Sequence, residues 1–514
     1  MKGRESINLL REFVKIATLS LPILLLVPPS AAAEGSSGGA RDAIRQPLPA
    51  PVINPHSTEI CMNSRLSYHA GWSGAATDQM LANVLHATAQ APVTGATRVI
   101  YVATPQNVYV YDAAGNSLVL QRAGDWRSDA STAFQVGVAT DRTVDAGAAM
   151  HLSQLESIAL WTGTAGQLAS CPRASDTTYA NSHWNPAQPI DIVISFGMRN
   201  VAGLTSTLVA ISSDGSLPNP QTDGPVYMDT ALQHLAYDTT FAATTLTLAN
   251  VSQILWGTYG CSNHTASGKA GLVCSSAVAN YYLTRHIYSI SADAVYRFHN
   301  RRPPGTDATT RDHRIELVRN GDTRPGLRQG TSGLPNAPNY LVICVASTGD
   351  WPELEVGFAA MGAVLAASTI GLQGYVTAGL TAGEQAAIRT ATGIPSNDIP
   401  IAVVSLGQPS DASSVEGQGK GNEALTLVIE NQVASSGRVA IRYGIPAEDI
   451  VHLAIYDCLG HKVRDLIDGR QRIGGHAAAW DCQDERGRPV QSGVYFCRLT
   501  AGGLTRGAQV VVIR

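Results

Sequence analysis

The spacing of apolar residues changes within residues 248–298 of this chain. It begins with apolar positions three or four apart, which predict one buried face of a helix: Leu248, Val251, Ile254 and Leu255. Gly257 and Gly260 follow and are expected to end that helix. Two runs of β-branched and aromatic residues, 287–290 and 295–298, come next. The segment therefore predicts a helix, a serine-rich loop and a β-hairpin.

The same order of elements occurs earlier in the chain. Four pairs of segments match in residue pattern and in order: 80–86 with 248–255, 98–111 with 285–298, 124–127 with 321–324, and 189–197 with 400–407. Chance similarity between hairpins is the alternative, but four matches in one order favour a duplication. The repeat is far too long for a solenoid, so we expect two fused domains.

Each repeat also has the pattern of a long helix. We expect the first at residues 145–162. The second is expected to start after Trp351 and Pro352 and to run to Ile370, where Gly371 stops it. The second helix is rich in small residues, and such a face lets another helix approach closely. It is therefore predicted to pack against its counterpart in the first repeat. Residues 171–188 are polar and are expected to form a surface loop.

The pattern changes again after the second repeat. Residues 410–424 contain serine, glycine and glutamine with few apolar residues, which is typical of a linker. Short apolar runs then recur at regular spacing between turns of glycine, aspartate and proline. This pattern predicts an all-β sandwich over residues 425–514.

Length and composition agree with three globular domains. The chain has 514 residues, of which 44% are hydrophobic and 15% charged. Its net charge of −4 gives no reason to expect nucleic acid or an anionic membrane as a partner. Zinc-type spacing of cysteine and histidine is missing, so we expect no metal site.

The start of the chain has the pattern of an export signal. Basic residues precede an apolar run at 16–27, and small residues at 31–33 offer a cleavage site. We therefore expect a signal peptide at 1–33, a flexible linker at 34–58, and a secreted, periplasmic or cell-surface protein without a membrane span after cleavage. An uncleaved anchor is the alternative, although the run is short and Pro22 interrupts it.

Export would allow the 8 cysteines to form disulfides. Cys261 and Cys274 flank a polar loop and can close it, while two of the three cysteines near the C-terminus can pair: Cys458, Cys482 and Cys497. Free buried cysteines are the alternative at each position.

Several of these segments together resemble the nitroreductase family, and within it the SagB-type dehydrogenases most. The resemblance lies in residues 251–260, the serines at 275–276, the following hairpin and the pattern of 357–374. It implies an α+β fold of two fused nitroreductase-like domains, 59–198 and 199–409. Members of the family bind FMN at the interface of two like domains, so the chain would be a pseudo-dimer.

The family holds the FMN phosphate with an Arg-x-Ser-x-Arg pattern. Arg65, Ser67 and His69 match that pattern, with histidine in place of the second arginine. An arginine binds phosphate through a charged, two-pronged hydrogen bond, whereas a neutral histidine adds no charge at pH 7. The corresponding place in the second repeat, residues 236–241, contains no arginine.

The family's second flavin contact is a serine-containing loop beside the isoalloxazine ring. Ser275, Ser276 and Ala277 match it, but the corresponding residues 90–95 of the first repeat lack the serines. The family's basic residue after the last strand is also missing after Gly407. One composite FMN site is therefore expected, with no identifiable catalytic residue. Loss of both sites is the alternative.

The C-terminal domain resembles the FlgD-type Ig-like domain. The resemblance rests on the pattern around 456–463, on Trp480 with Asp481, and on 487–496. Such domains also end exported proteins as sorting modules of the type IX secretion kind. The resemblance implies secretion machinery or a cell-surface molecule as partner; a plain spacer is the alternative.

Two functions follow from these patterns. The first is an exported FMN-dependent oxidoreductase of the nitroreductase kind that acts on a small-molecule or peptide substrate and carries a C-terminal sorting or anchoring domain. The alternative is a non-catalytic exported protein that uses the same fold as a binding or structural module.

Overall fold

The structure, a computed structural model, describes most of the chain beyond its N-terminal segment. The described residues are 45–54, 56–73, 75–162, 166–201, 203–207, 216–233, 235, 238–266, 268–276, 280–301, 310–410, 426–429, 433–434, 439–445, 449–457, 462–471, 474–501 and 504–512. The predicted signal peptide lies outside these residues, as does the predicted linker 410–424 except for Ser410.

The helices and strands are numbered in chain order. Within the described residues the helices are α1 Thr58–Ser64, α2 Asp78–Gln90, α3 Thr143–Ala159, α4 Ala174–His183, α5 Met228–Gln233, α6 Leu248–Tyr259, α7 Arg324–Gln329, α8 Asp350–Thr369 and α9 Ala382–Thr392. The strands there are β1 Arg45–Pro47, β2 Arg98–Ala103, β3 Asn107–Asp112, β4 Ser117–Ala123, β5 Phe134–Thr140, β6 Gln167–Pro172, β7 Ile192–Arg199, β8 Cys261–Ala266, β9 Lys269–Leu272, β10 Ile287–Ile290, β11 Ala294–Arg301, β12 Arg311–Asn320, β13 Asn339–Val345, β14 Gln373–Ala378, β15 Ile399–Gly407, β16 Thr426–Ile429, β17 Val433–Ala434, β18 Val439–Ile445, β19 Asp449–Tyr456, β20 Lys462–Gln471, β21 Gly474–Trp480, β22 Gly493–Ala501 and β23 Leu504–Val512.

Threonine caps fix the starts of several helices. The hydroxyl of Thr77 accepts a hydrogen bond from a backbone N–H in the first turn of α2. Thr247 and Asn250 form a reciprocal capping box at the start of α6, where the pattern of apolar residues predicted a helix. Thr381 and Glu384 form the same arrangement at α9. The predicted helix is thus confirmed, although it continues through Gly257 and ends at Tyr259, before Gly260.

Two large antiparallel sheets lie within residues 45–409. The first sheet belongs to the first half of this region, residues 45–199, and the second sheet to the second half, residues 200–409. The first sheet has the strand order β1-β4-β3-β2-β5-β7-β6, and the second has the order β12-β11-β10-β13-β15-β14. When β2–β7 and β10–β15 are each counted along the chain, both orders read third, second, first, fourth, sixth, fifth. The inner strands β5 and β13 are almost entirely buried, so both faces of each sheet are covered.

Helices α3 and α8 form the centre of the fold. Both are buried on nearly every side, and one hydrophobic cluster includes residues from both helices and both sheets. The two helices meet at Gly147 and Gly357, where a methyl group on Gly357 would lie 2.8 Å from Ala148 N. The small-residue face predicted to pack against another helix does so. Absence of side chains at this crossing is what permits backbone contact.

Residues 171–188 differ from the surface loop that their polarity suggested. They contain the end of β6 and helix α4. Polar side chains of this helix are buried because β7 supplies their hydrogen bonds: Ser195 Oγ donates to Asp176 at 2.6 Å, and Val193 N donates to Thr177 Oγ1 at 2.9 Å. The polarity of this segment therefore did not reveal helix α4, because the hydrogen-bond partners of its polar side chains lie on strand β7.

Part of the predicted flexible linker 34–58 is also ordered. Arg45–Pro47 forms β1 and pairs antiparallel with β4 at the edge of the first sheet. Leu48, which follows, is buried, and its N–H donates to Asn116 O at 3.0 Å. This stretch covers the edge strand β4.

The C-terminal residues form two further sheets. Their strand orders are β16-β18-β21 and β17-β23-β22-β19-β20, with antiparallel pairing except between β17 and β23. Buried residues from both sheets form one hydrophobic cluster. Trp480 lies fully buried in it, and its ring N–H donates to Gln483 O at 2.8 Å. Trp480 thus has the core position that the sequence predicted.

Cys61, Cys171, Cys344 and Cys497 are each a buried free thiol. Cys497 therefore does not form the disulfide considered for it. The Cys261 thiol donates a hydrogen bond to Asn300 O at 2.9 Å, away from the suggested pairing with Cys274. Cys458 lies outside the described residues.

Within the described ranges, the helices lack the combination of length and apolar composition that crossing a membrane would require.

Candidate functional site

Arg65 follows directly on helix α1. The hydroxyl of Ser57 caps the start of this helix by accepting a hydrogen bond from Ile60 N at 3.2 Å. The helix ends at Ser64, and the backbone of Arg65 is extended, with φ −63° and ψ 125°. Its side chain turns inward and the residue is only 5% exposed. The turn after α1 therefore places a guanidinium group in the interior.

The guanidinium group of Arg65 joins the two halves of the fold. Its Nε and Nη2 donate to Leu272 O, at the end of β9, at 3.1 and 3.0 Å. Its Nη1 donates to Ser67 Oγ at 3.3 Å and to Ser275 Oγ at 3.1 Å. Three of the predicted site residues, Arg65, Ser67 and Ser275, thus lie together.

Ser275 extends this network to helix α3. The residue is 1% exposed, and its hydroxyl donates to Gln154 Oε1 at 2.5 Å while accepting from Arg65. Gln154 is itself fully buried on α3. The turn after α1, the loop after β9 and the central helix of the first half are therefore tied by side chains.

Ser276 faces the other central helix, α8. Its hydroxyl donates to Glu355 Oε2 at 2.7 Å and accepts from Tyr281 N at 2.8 Å. The hydroxyl of Tyr259 on α6 donates to the second oxygen of Glu355. Both hydroxyls of the serine pair are thus engaged by the protein itself.

A similar contact occurs in the first half. Asp145 near the start of α3 accepts hydrogen bonds from Thr94 N and Gly95 N, both at 2.8 Å, and from Thr94 Oγ1 at 2.7 Å. Asp145 thus holds the loop before β2, and Glu355 holds the loop before β10. Each central helix therefore fixes one loop through a carboxylate.

Burial governs the electrostatics of the cluster. It lowers the pKa of Arg65, an effect that the nearby Cys274 thiol and Tyr281 hydroxyl partly offset. The side-chain contacts of Arg65 described above are a carbonyl and two hydroxyls, all neutral. Burial, with a smaller contribution from the charge of Arg65, lowers the pKa of His151 on α3 to about 3. His151 is therefore a neutral neighbour at physiological pH.

His69 lies apart from the hydrogen bonds of Arg65. Its Nδ1 is 3.3 Å from Cys171 Sγ, and Arg173 donates to its carbonyl oxygen. Burial, and then the charge of Arg173, lowers the pKa of His69. A neutral imidazole here does not replace the charge of the family's second arginine. Ala277, the remaining predicted site residue, lies outside the described residues.

Sequence reasoning missed the groups that form hydrogen bonds with the predicted site residues or with their partners. These are Leu272, Gln154, Glu355 and Tyr259. Gln154 and Glu355 carried a usable signal, since each is a polar residue within a long apolar helix and both are fully buried. Leu272 carried none, because it acts through its backbone carbonyl. Among the described residues, no group of three or more His, Cys, Asp or Glu side chains could hold a metal ion.

Comparison with known proteins finds similarity in solved structures only. No protein-family model and no curated protein matches the chain. A protein named as a nitroreductase from Anabaena variabilis is 12% identical with a TM-score of 0.46, over 67% of this chain and 93% of its own. An FMN-dependent nitroreductase from Clostridium difficile is 14% identical with a TM-score of 0.24, over 38% of this chain and 96% of its own.

The FlgD protein of Pseudomonas aeruginosa is similar over a smaller part. It is 21% identical with a TM-score of 0.14, over 18% of this chain and 76% of its own. Structural neighbours thus include nitroreductases over part of the chain and FlgD over a short region. Similarity at this level gives no evidence about activity. Evidence about activity has to come from the site itself.

The described residues do not fit FMN as they are arranged. FMN carries its phosphate and its ring at opposite ends of a ribityl chain, so the groups that bind these ends must be separated. Here Arg65, expected at the phosphate, and Ser275, expected at the ring, are hydrogen-bonded at 3.1 Å. The donors of Arg65 point at Leu272 O and at the hydroxyls of Ser67 and Ser275, and the residue is only 5% exposed.

Proposed function

We propose that this chain is an exported, non-catalytic protein of nitroreductase-like architecture that acts as a binding or structural module without FMN. The observation that carries the proposal is the hydrogen bond of 3.1 Å between Arg65 Nη1 and Ser275 Oγ. It brings into contact two residues that a flavin would hold apart. Arg65, Ser67 and Ser275 then hold the two halves of the protein together.

Energetics favour this structural role for Arg65. A buried charge is costly unless hydrogen bonds satisfy it, and hydrogen bonds to a charged group contribute about 1.5–3 kcal/mol. The Leu272 carbonyl and the hydroxyls of Ser67 and Ser275 supply these bonds. A phosphate would have to displace them and would then leave Leu272 O without its partner.

We further propose that the two halves arose by duplication and form a pseudo-dimer within one chain. Three observations support this: the shared strand order of the two sheets, the contact between Gly147 and Gly357, and the matching carboxylates Asp145 and Glu355. Cyclic pairs of this kind use the same surface on both partners, and the glycine contact has that character.

For the C-terminal domain we propose the role of a FlgD-type Ig-like sorting or anchoring module, recognised by secretion machinery or a cell-surface partner. It would keep the exported protein at the cell surface. Support comes from the tryptophan core and from the turn at Gly487, where φ is +71°. A plain spacer domain is the competing role.

An FMN-dependent oxidoreductase is the second candidate. One observation favours it: Arg65, Ser67 and Ser275, expected from opposite halves at a composite site, do lie together. Binding FMN would then require Arg65 to release Leu272 O and the serine loop to move away. Such a protein would act on a small-molecule or peptide substrate.

The flavin content of the purified protein separates the two candidates. The protein would be isolated from its native host, denatured, and the released flavin measured by absorbance and fluorescence against protein concentration. We expect no stoichiometric flavin. About one FMN per chain would overturn the non-catalytic proposal and favour the oxidoreductase.

A further inference from the structure

Residues 48–54 form an N-terminal strap that side chains, rather than strand pairing, hold on the surface. Asn116 Nδ2 donates to Pro49 O at 2.9 Å, and Gln79 Nε2 donates to Ala50 O at 2.8 Å. Asn83 on α2 both donates to Val52 O at 2.7 Å and accepts from Val52 N at 3.2 Å. The strap can therefore loosen without breaking either sheet.

Two carboxyl groups hold the end of this strap. Asn54 N donates to Asp229 Oδ2 at 2.8 Å, and Asn54 Nδ2 lies 3.4 Å from the same oxygen. That Nδ2 also donates to Glu156 Oε1 at 3.1 Å. Glu156 belongs to α3 in the first half and Asp229 to α5 in the second. One asparagine amide thus bridges two acids from different halves.

No cation compensates these acids within the described part of the chain. None of its ion pairs includes Glu156 or Asp229. Both are buried, at 0% and 8% exposure, and Glu156 Oε2 is buried with no hydrogen-bond partner in the described residues. Glu156 also lies in the last turn of α3, where the helix dipole disfavours a negative charge.

The other described titratable groups of this region lie on α1 and just before it. Cys61 on α1 faces the same region: burial, and then the charges of Glu156, Asp229 and Glu59, raises the pKa of its thiol. Asn83, from α2, is neutral and donates to Glu156 Oε1 at 2.9 Å. His56 is directed at Trp161 O instead. The described acids around Cys61 therefore add only negative charge to this region.

We propose that Glu156 and Asp229 share a proton, and that this proton fastens the N-terminal strap, so that the strap loosens as the pH rises. With one proton on the pair, a single negative charge is divided between two carboxyls around Asn54. Loss of that proton would place two uncompensated anions against one amide in a dry environment. The repulsion would separate α3 from α5 at the point where the strap is tied.

The direction of the effect follows from the carboxyl pKa values. Burial, and then the charge of Asp229, raises the pKa of Glu156 well above its ordinary value, and burial raises that of Asp229 to about 6. The folded protein therefore holds protons that the unfolded chain would release. The contribution of this pair to the free energy of unfolding is therefore fully present below the ordinary carboxyl pKa. It is lost as the pH rises through about 6 and above.

Hydrogen exchange of the strap amides at pH 5 to 8 tests the proposal, with protection corrected for intrinsic exchange. In the native chain, protection of the Val52 and Asn54 amides should fall with rising pH, by at most about tenfold per pH unit for each proton lost. Glu156→Gln should reduce this dependence, because glutamine keeps the acceptor and cannot ionise, while Asp229 still titrates. Asp229→Asn should reduce it.

Asp125→Asn is the matched control, because Asp125 is exposed and paired with Arg127. It should leave the pH dependence of the strap unchanged. Strap protection that is independent of pH in the native chain, or equally dependent in Glu156→Gln and the native chain, would overturn the proposal. Should that variant not fold, Asp229→Asn decides: a smaller pH dependence than in the native chain supports the proposal, and an unchanged dependence overturns it.

Discussion

Gly147 and Gly357 bring helices α3 and α8 into backbone contact. A methyl group on Gly357 would overlap the carbonyl oxygen of Val144, and one on Gly147 would overlap that of Leu354. The contact is reciprocal, with each glycine facing the carbonyl of a residue three positions before the other. The central interface of the protein therefore depends on two positions without side chains.

Alanine at either glycine should destabilise the fold. We expect Gly357→Ala to cost about 1–3 kcal/mol, because the obstructing atoms are backbone and the helices must separate. Gly383→Ala in α9 is the control, since its new methyl group would meet only Thr381 Oγ1 at 3.9 Å. That change should be neutral or stabilising, because alanine favours helix. Urea unfolding measures both; equal effects would refute the contact.

Arg65→Ala should affect stability rather than cofactor content. The change removes hydrogen bonds to Leu272 O, Ser67 and Ser275, so we expect a loss of about 1.5–3 kcal/mol in the free energy of unfolding. Arg45→Ala is the control, because its ion pair with Asp112 is exposed and such pairs contribute about 0–1 kcal/mol. An Arg65 variant as stable as the Arg45 variant would contradict the structural role.

Acid should weaken helix α9 through Glu384. The pKa of this carboxyl is lowered to about 2, chiefly because the N–H groups of Thr381 and Ser332 donate to it. The contribution of the Glu384 carboxylate to the free energy of unfolding is therefore present above pH 4.5, its pKa in the unfolded chain. That contribution is lost as the pH falls towards 2. Glu384→Gln should show a flatter decline in melting temperature over this window. A decline identical to that of the native chain would rule out this contribution.

Trp480→Ala should unfold or strongly destabilise the C-terminal domain. The ring is fully buried and packs edge-on against Tyr495 with 5.2 Å between centroids. We expect a loss of about 3–5 kcal/mol, measured on an isolated fragment of residues 425–514, which should unfold cooperatively. Phe496→Ala is the control, since Phe496 is 43% exposed. It should change stability by less than about 0.5 kcal/mol. A fragment without cooperative unfolding would disprove the predicted domain boundary.

The sequence predicted the elements with strong periodicity. Helix α6, the hairpin of β10 and β11, and the small-residue contact of α8 all carried local signals that the structure confirms. Helix α4 was missed because Asp176 and Thr177 are polar yet buried by hydrogen bonds to a later strand. A pattern of single residues contains no information about such distant partners.

The candidate site also has a part that the sequence predicted and a part that it could not predict. The family motif selected Arg65, Ser67 and Ser275 from distant parts of the chain, and the structure brings them together. What the motif could not predict is the direction of the guanidinium group. That direction depends on the carbonyl of Leu272, which lies 207 positions away in the chain and is independent of the leucine side chain.

Titration of the purified, flavin-free protein with FMN tests the central claim most directly. Quenching of flavin fluorescence would be followed at constant protein concentration, in the native chain and in Arg65→Ala. We predict no saturable quenching in either, because Arg65 is committed to Leu272 O and Ser275. Saturation near one equivalent in the native chain, lost in Arg65→Ala, would contradict the account and identify Arg65 as a phosphate ligand.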